Sequence, residues 1–211
     1  MPLPYHLTSR TIERFLREYS IKCISHTALM PGETRRCACS KPITSNFYLF
    51  SYANDKEEKS FSAGPTCGKR LIERAGIESP PLFDPFKTVS NTQPSGCGSS
   101  TATGVKDTLK FSPLNKEIYN LLNLYRCMTC KELNDSLLTV FSYITNNPTG
   151  TVFDNYFSTI DRAIVSAVRN TNFETLQGYF EHLAKSQNKK FKRFEFPLFK
   201  EKLAFLHGSS Q

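Results

Sequence analysis

The feature that most constrains this chain is the position of three of its seven cysteines, Cys37, Cys39 and Cys67. Cys37 and Cys39 are separated by one residue, so a tight turn can present both sulfurs to a single ion. Cys67 follows a Gly-Pro-Thr sequence and opens a run with helical character. A thiolate at a helix N-terminus is stabilised by unpaired backbone N–H groups and by the positive end of the helix dipole. The three sulfurs therefore predict a Zn²⁺ site, and tetrahedral zinc needs a fourth ligand.

The segments around these cysteines have strand and helix signals. Apolar residues at helical spacing predict a helix over 9–20, and β-branched and aromatic runs predict strands over 21–29, 46–52 and 60–63. The last two strands form a hairpin with a polar tip. The helix that contains Cys67 is predicted to be capped by Thr66 and to end at Gly76.

Residues 36–76 resemble zinc-knuckle and treble-clef zinc modules, which run from a knuckle through a β-hairpin to a helix whose first turn supplies ligands. The resemblance implies a structural zinc ion. This sequence departs from the pattern, because treble clefs usually take two ligands from the helix start and the position three after Cys67 is Arg70. The fourth ligand must then come from elsewhere. Cys23 is favoured because all-thiolate sets are common in structural zinc sites, and His26 is the alternative.

Nothing in the sequence gives positive evidence for an enzyme. The acidic residues near the cysteines follow no H-x-E or H-E-x-x-H spacing, so a catalytic zinc with an open position lacks a general base. Cys127 and Cys130 form a C-x-x-C pair, which is interpreted as part of a helix junction. Cys97 lies between two glycines without an adjacent base. A nuclease or other metal enzyme remains the weakest of the hypotheses.

Composition divides the chain into two predicted domains. Proline, glycine and serine concentrate in 79–112, which is interpreted as a flexible linker between a zinc-binding module at 1–78 and a helical domain at 113–211. The second domain shows five helical segments, two of them with capping-box patterns at Thr129 and Thr171. The predicted fold class is therefore α+β, with a helix, β-hairpin and helix in the zinc module and an all-α C-terminal domain.

The formal charge of +8 makes an anionic partner plausible. The excess is spread along the chain, but it is locally dense beside the predicted zinc site and in a lysine-rich segment interleaved with phenylalanines. The phenylalanines can stack on bases or fill the core, and both interpretations stay open. The predicted phosphate contacts are Arg35, Arg36, Lys69, Arg70, Lys189, Lys190, Lys192 and Arg193.

These observations favour a zinc-stabilised, DNA- or other nucleic-acid-binding protein of regulatory or accessory type. The alternative is a protein-interaction adaptor with a structural zinc site and a helical partner-binding domain. An odd number of cysteines with no recognisable secretory signal predicts a reducing, cytoplasmic location. No apolar run approaches the roughly 18 residues that a membrane span needs, so we expect no membrane partner.

Overall fold

In the computed structural model, the described residues are 9–30, 32–55, 58–88, 110–129, 133–167 and 173–208. Within them the protein is mixed α+β, with seven helices and a small four-stranded sheet. None of these helices combines the length and apolar character that crossing a bilayer would require. The elements in chain order are α1 Ser9–Glu18, β1 Ser20–Ala28, β2 Arg35–Arg36, β3 Pro42–Ile43, β4 Asn46–Ala53, β5 Glu58–Ala63, α2 Pro65–Ala75, β6 Leu82–Phe83, β7 Phe86–Thr88, α3 Pro113–Thr129, α4 Asp135–Asn146, α5 Asp154–Ala167, α6 Phe173–Ser186, β8 Lys189–Phe191 and α7 Pro197–Gly208.

The main sheet has the strand order β5-β4-β1-β6. β4 pairs antiparallel with both β5 and β1, whereas β6 pairs parallel with β1. The strands predicted from the sequence are confirmed as β1, β4 and β5, with bounds that differ by two residues or fewer. A register shift between Cys23 and Ser25 interrupts the pairing of β1 with β4.

Both faces of this sheet are covered by helices. Because side chains alternate along a strand, neighbouring residues of β4 enter different clusters. Tyr48 and Phe50 pack in a cluster to which α1 and α2 contribute Phe15 and Leu71. Leu49 packs instead in the larger cluster built by α3, α4, α5 and α7, which also contains Ile24 of β1. Side chains from the two predicted domains therefore share one core cluster.

The predicted apolar faces of α1 and α3 are buried. Ile12 and Phe15 are buried on α1, and Ile118, Leu121 and Leu122 are buried on α3. Each helix therefore packs against the sheet with the face that its 3.6-residue periodicity indicates.

Residues near the predicted linker differ from expectation. Residues 89–109 lie outside the described part, but β6 and β7 lie within the segment assigned to the linker. β7 pairs antiparallel with β8, which belongs to the C-terminal part, so the described C-terminal residues are not exclusively helical. The rings of Phe86 and Phe191 lie 5.7 Å apart in this pairing, so burial of two phenylalanines accompanies it. The division into two domains stays a prediction.

Helix caps also differ from the predicted ones. α2 begins one residue before Thr66 and has Gly64 as its N-cap, whereas Gly76 ends the helix in a left-handed conformation, as expected. α4 is capped by Asn134, whose side-chain oxygen accepts a hydrogen bond from the Leu137 N–H at 2.9 Å. Thr129, the predicted cap, is the last residue of α3. The predicted cap Thr171 lies outside the described residues.

Candidate metal centre

A short hairpin carries the first two candidate ligands. β2 and β3 pair through Arg36 and Pro42, and the turn between them spans Cys37 to Lys41. The Cys37 N–H donates to the Lys41 carbonyl at 2.9 Å, and the Ser40 N–H donates to the Cys37 carbonyl at 2.8 Å. Ser40 has a φ of 68°, in the left-handed region. This compact turn brings Cys37 and Cys39 to one side of the hairpin.

The third candidate ligand comes from the start of α2. The β4–β5 hairpin leads the chain back to the turn between β2 and β3, where α2 begins. The Ala38 N–H donates to the Ser62 carbonyl of β5 at 2.8 Å, so the turn is fastened next to the strand that leads into α2. The Gly64 N–H then donates to the Cys37 sulfur at 3.3 Å. Cys67 lies in the first turn of α2, beside the two sulfurs of the turn.

The three sulfurs lie close enough to share a metal ion. The Sγ atoms of Cys37, Cys39 and Cys67 are all within 4.8 Å of one another, and those of Cys39 and Cys67 are 3.5 Å apart. Tetrahedral zinc with Zn–S bonds of about 2.3 Å separates its sulfurs by about 3.8 Å. Cys37 is buried, whereas Cys39 and Cys67 are half-buried. The donor set, its spacing and its position at a helix start therefore fit a zinc ion.

Hydrogen bonds within the cluster divide the charge unequally among the thiols. Burial raises the pKa of Cys39, but hydrogen bonds from the Lys41 backbone and from the thiols of Cys37 and Cys67 outweigh it and lower that pKa overall. Burial, together with its hydrogen bond to Cys39, raises the pKa of Cys67 to about 12. Without a metal, Cys39 is thus the favoured thiolate, with neighbouring thiols donating to it. A divalent ion would displace the remaining protons.

The structure does not bring the predicted fourth ligands to this cluster. The Cys23 thiol donates to the Ser25 carbonyl at 3.9 Å, and burial raises its pKa to about 12. His26 stacks on Tyr48 with ring centroids 3.9 Å apart, and its Nε2 lies 2.9 Å from Oδ1 of Asn46. Among the described residues, the close group of metal-ligating atoms contains only the three sulfurs. Both residues belong to β1 and pair with β4, Cys23 with Phe50 and His26 with Tyr48.

The basic residues beside the cluster divide into one buried and several exposed side chains. Arg35 is only 6% exposed, its guanidinium lies 4.3 Å from the centre of the Phe47 ring, and it donates to the Ser62 hydroxyl at 3.4 Å. It therefore anchors the hairpin and does not present its charge to solvent. Arg36, Lys69 and Arg70 are exposed, as is Lys41 within the turn.

The basic segment near the C-terminus is partly engaged by neighbouring side chains. Lys190 and Lys192 are exposed, whereas Lys189 is half-buried at the start of β8. Arg193 donates two hydrogen bonds to the Glu181 carboxylate, at 2.8 and 3.1 Å, which hold the pKa of Glu181 below its usual value.

The interleaved phenylalanines belong to the core. Phe196 and Phe199 are buried in the helical cluster, and Phe191 and Phe194 pack against it. Of the two open interpretations, core packing is the one that these positions show. Phe196 and Phe199 are therefore withdrawn from base stacking, whereas Phe191 and Phe194 are half-buried.

Sequence reasoning missed the glycine beside Cys67. A Cβ atom added at Gly68 would lie 2.1 Å from Cδ2 of Tyr48, so the helix start approaches β4 more closely than any larger residue allows. A glycine inside a helical pattern is the available signal for such an approach. Gly68 therefore positions Cys67 against the sheet.

Comparisons with known proteins place the chain in a family. A search of curated proteins and of solved structures found no match. A family model matches residues 9–209, which include the cysteine cluster, the sheet and all the described helices. Since this match covers nearly the whole chain, the protein belongs to the family described as uncharacterised conserved protein UCP028583.

Proposed function

We propose that the protein is a zinc-stabilised nucleic-acid-binding protein in which Cys37, Cys39 and Cys67 hold a structural Zn²⁺ ion. The observation that carries the proposal is the convergence of the three sulfurs within 4.8 Å. The order of turn, β-hairpin and helix start around them supports a treble-clef-like module. Zinc would join the β2–β3 hairpin to α2, two elements that are distant in sequence, and its binding energy would contribute to folding.

Nucleic acid is the proposed partner because several exposed cationic side chains lie beside the cluster. Three thiolates and one Zn²⁺ ion carry a net charge of −1, which is smaller than the charge of the exposed Arg36, Lys41, Lys69 and Arg70. Phosphate contacts by such side chains give affinity without base specificity. Lys190 and Lys192 extend the proposed surface. Arg35 is buried and therefore does not belong to this surface.

Metal content tests the zinc part of the proposal. We expect stoichiometric zinc in protein purified without a histidine tag, and its loss in a Cys67→Ser variant. Thr66→Ser changes the adjacent exposed residue and should keep the metal. Elemental analysis of both variants makes the comparison, and wild-type protein with far less than stoichiometric metal would contradict the proposal.

Charge reversal tests the nucleic-acid part. Lys69→Glu with Arg70→Glu removes two proposed phosphate contacts, so the slope of log affinity against log salt should become shallower by about 1.8 for double-stranded and about 1.4 for single-stranded oligonucleotides. Lys110→Glu with Arg162→Glu makes the same change in net charge at two exposed residues away from the cluster. Fluorescence anisotropy with single- and double-stranded oligonucleotides measures both. Equal slopes for the two variants, or no binding at low salt, would rule the interface out.

The adaptor alternative is favoured by a separate observation. Phe153 and Phe205 are 51% and 64% exposed. Lys202 bridges Asp154, the residue after Phe153, at 3.0 Å and lies 5.4 Å from the Phe205 ring. Exposed aromatic rings of this kind suit a protein partner, whose affinity should change little with salt. A protein partner whose affinity is independent of salt would support the adaptor, provided that Phe205→Ser abolishes its binding without changing the stability of the variant.

A further inference from the structure

We propose that the three-thiol cluster is also an oxidation site, at which a peroxide joins Cys39 and Cys67 in a disulfide and thereby releases the zinc. The inference rests on the proposed function, since it requires that these thiols hold the ion. It adds a chemical signal, a peroxide, to which the site would respond.

Geometry selects the pair. The sulfurs of Cys39 and Cys67 are 3.5 Å apart, so an approach of about 1.5 Å gives the length of a disulfide bond. Both residues are half-buried, whereas Cys37 is buried and its sulfur accepts the Gly64 N–H. A small oxidant therefore reaches Cys39 and Cys67 more readily than Cys37.

Cys39 is the first sulfur to react. The Cys67 thiol donates a hydrogen bond to the Cys39 sulfur at 3.5 Å, which makes Cys39 the acceptor of the pair and its sulfur the nucleophile. Its sulfur attacks one peroxide oxygen, the O–O bond breaks, and hydroxide leaves with the bonding pair, which gives a sulfenic acid. The Cys67 thiolate then attacks the Cys39 sulfur, the S–S bond forms, and the sulfenic hydroxyl leaves as hydroxide. Overall, two thiolates are oxidised, and one peroxide, with two protons taken from solvent, is reduced to two waters.

Disulfide formation removes two of the three sulfur ligands. A disulfide sulfur is not a thiolate, so Cys37 remains as the one ligand of the cluster and zinc dissociates. The disulfide then links the start of α2 directly to the turn, and it brings the sulfurs of Cys39 and Cys67 closer together than in the reduced cluster. Lys69 and Arg70 follow Cys67 on α2, so oxidation would also shift the proposed phosphate contacts.

The test oxidises zinc-loaded, full-length protein with hydrogen peroxide and follows zinc release with a chromogenic chelator. Trypsin separates residues 37–56 from 60–69, so a disulfide between the turn and α2 appears as a linked pair of peptides, and fragmentation distinguishes Cys37 from Cys39. We expect one zinc released for each Cys39–Cys67 disulfide. Cys23 and Cys127, which are engaged elsewhere in the fold, should stay reduced.

Variants separate the two steps. In Cys67→Ser the sulfenic acid at Cys39 should persist and react with dimedone, whereas Cys39→Ser should give no dimedone adduct in the cluster. Zinc that stays bound with all thiols reduced, or release with any other cysteine pairing, would overturn the oxidation site while leaving the zinc proposal intact. A Cys39–Cys67 disulfide in protein that never bound zinc would instead overturn the zinc proposal and the coupled release.

Discussion

Ser40 adopts a left-handed backbone conformation at the end of the turn that carries two candidate ligands. Such a conformation costs an L-residue about 1–2 kcal/mol, and glycine adopts it without that cost. The turn keeps this conformation because the Ser40 N–H closes onto the Cys37 carbonyl. One residue thus stores backbone strain next to the candidate metal site.

Ser40→Gly should relieve this strain. We expect the free energy of unfolding to rise by up to about 1 kcal/mol, because the greater freedom of glycine in the unfolded chain offsets part of the gain. Chemical denaturation of the metal-free protein measures the change. Ser40→Ala, which keeps a Cβ atom, is the matched control and should not stabilise. A glycine variant less stable than the alanine variant would contradict this explanation.

His26 makes stability depend on pH. Burial lowers its pKa in the folded protein, while the hydrogen bond with Asn46 opposes the shift. The unfolded chain therefore binds the proton more tightly, so the contribution of His26 to stability is present above the unfolded pKa of about 6.5 and is lost as pH falls from there through the lower folded pKa. Denaturation at about pH 7.5 and pH 5 should show a larger loss for wild type than for His26→Gln. His182→Gln, which removes an exposed histidine of α6, should follow wild type.

At the scale of elements, the contact between α2 and β4 fixes the third candidate ligand. Gly68 lies against the Tyr48 ring, on which His26 also stacks. The contact is made by the residue directly after Cys67, so it holds the first turn of α2 against β4. The separation between the turn and the helix start therefore depends on a residue without a side chain.

Gly68→Ala should destabilise the protein and weaken metal binding. Its Cβ would overlap the Tyr48 ring, and overpacking of this kind costs about 1–3 kcal/mol. Gly178 on α6 has nothing within 4 Å of an added Cβ, so Gly178→Ala should gain up to about 1 kcal/mol from helix propensity. Thermal unfolding and zinc affinity of the two variants give the comparison. Equal stability and affinity would show that the Tyr48 contact does not constrain α2.

At the scale of the whole molecule, buried polar contacts join the sheet to α3. The Thr27 hydroxyl donates to Asn123 at 2.8 Å, and the fully buried Arg126 donates to the Ser25 hydroxyl. The Arg126 guanidinium also lies 4.5 Å from the centre of the Phe47 ring, which contacts Arg35 as well. A continuous set of contacts thus runs from α3 through β4 to the hairpin that carries Cys37.

This packing leads us to expect one cooperative unfolding transition. Leu49 and Leu71 are both fully buried, but in different clusters, and truncation of either to alanine should cost about 2–5 kcal/mol. Both variants should lower the midpoint of the same unfolding transition. Near-ultraviolet and far-ultraviolet circular dichroism should report the same midpoint. Two separable transitions, each sensitive to one variant, would support independent domains.

Much of the fold was predictable from local patterns. The spacing of Ile12 and Phe15 indicates a buried face on α1, and the aromatic run of β4 indicates a strand, because these signals depend on residues a few positions apart. Gly76 ends α2 for a similarly local reason. The pairing of Phe86 with Phe191 joins residues more than one hundred positions apart, and no local signal in either segment indicates it.

The chemistry of the candidate site follows from the residue types and their local spacing. Two cysteines separated by one residue and a third at a helix start are sufficient to predict a thiolate metal site. The ligand type and the local backbone conformation are both visible in the sequence. Packing of the whole chain is what brings Cys37, Cys39 and Cys67 together, and the close group of sulfurs does not include Cys23 or His26, which lie on β1. Tertiary packing also buries Arg35, because its guanidinium lies over the Phe47 ring of β4. Charge and spacing are properties of the chain, whereas burial is a property of the packed molecule.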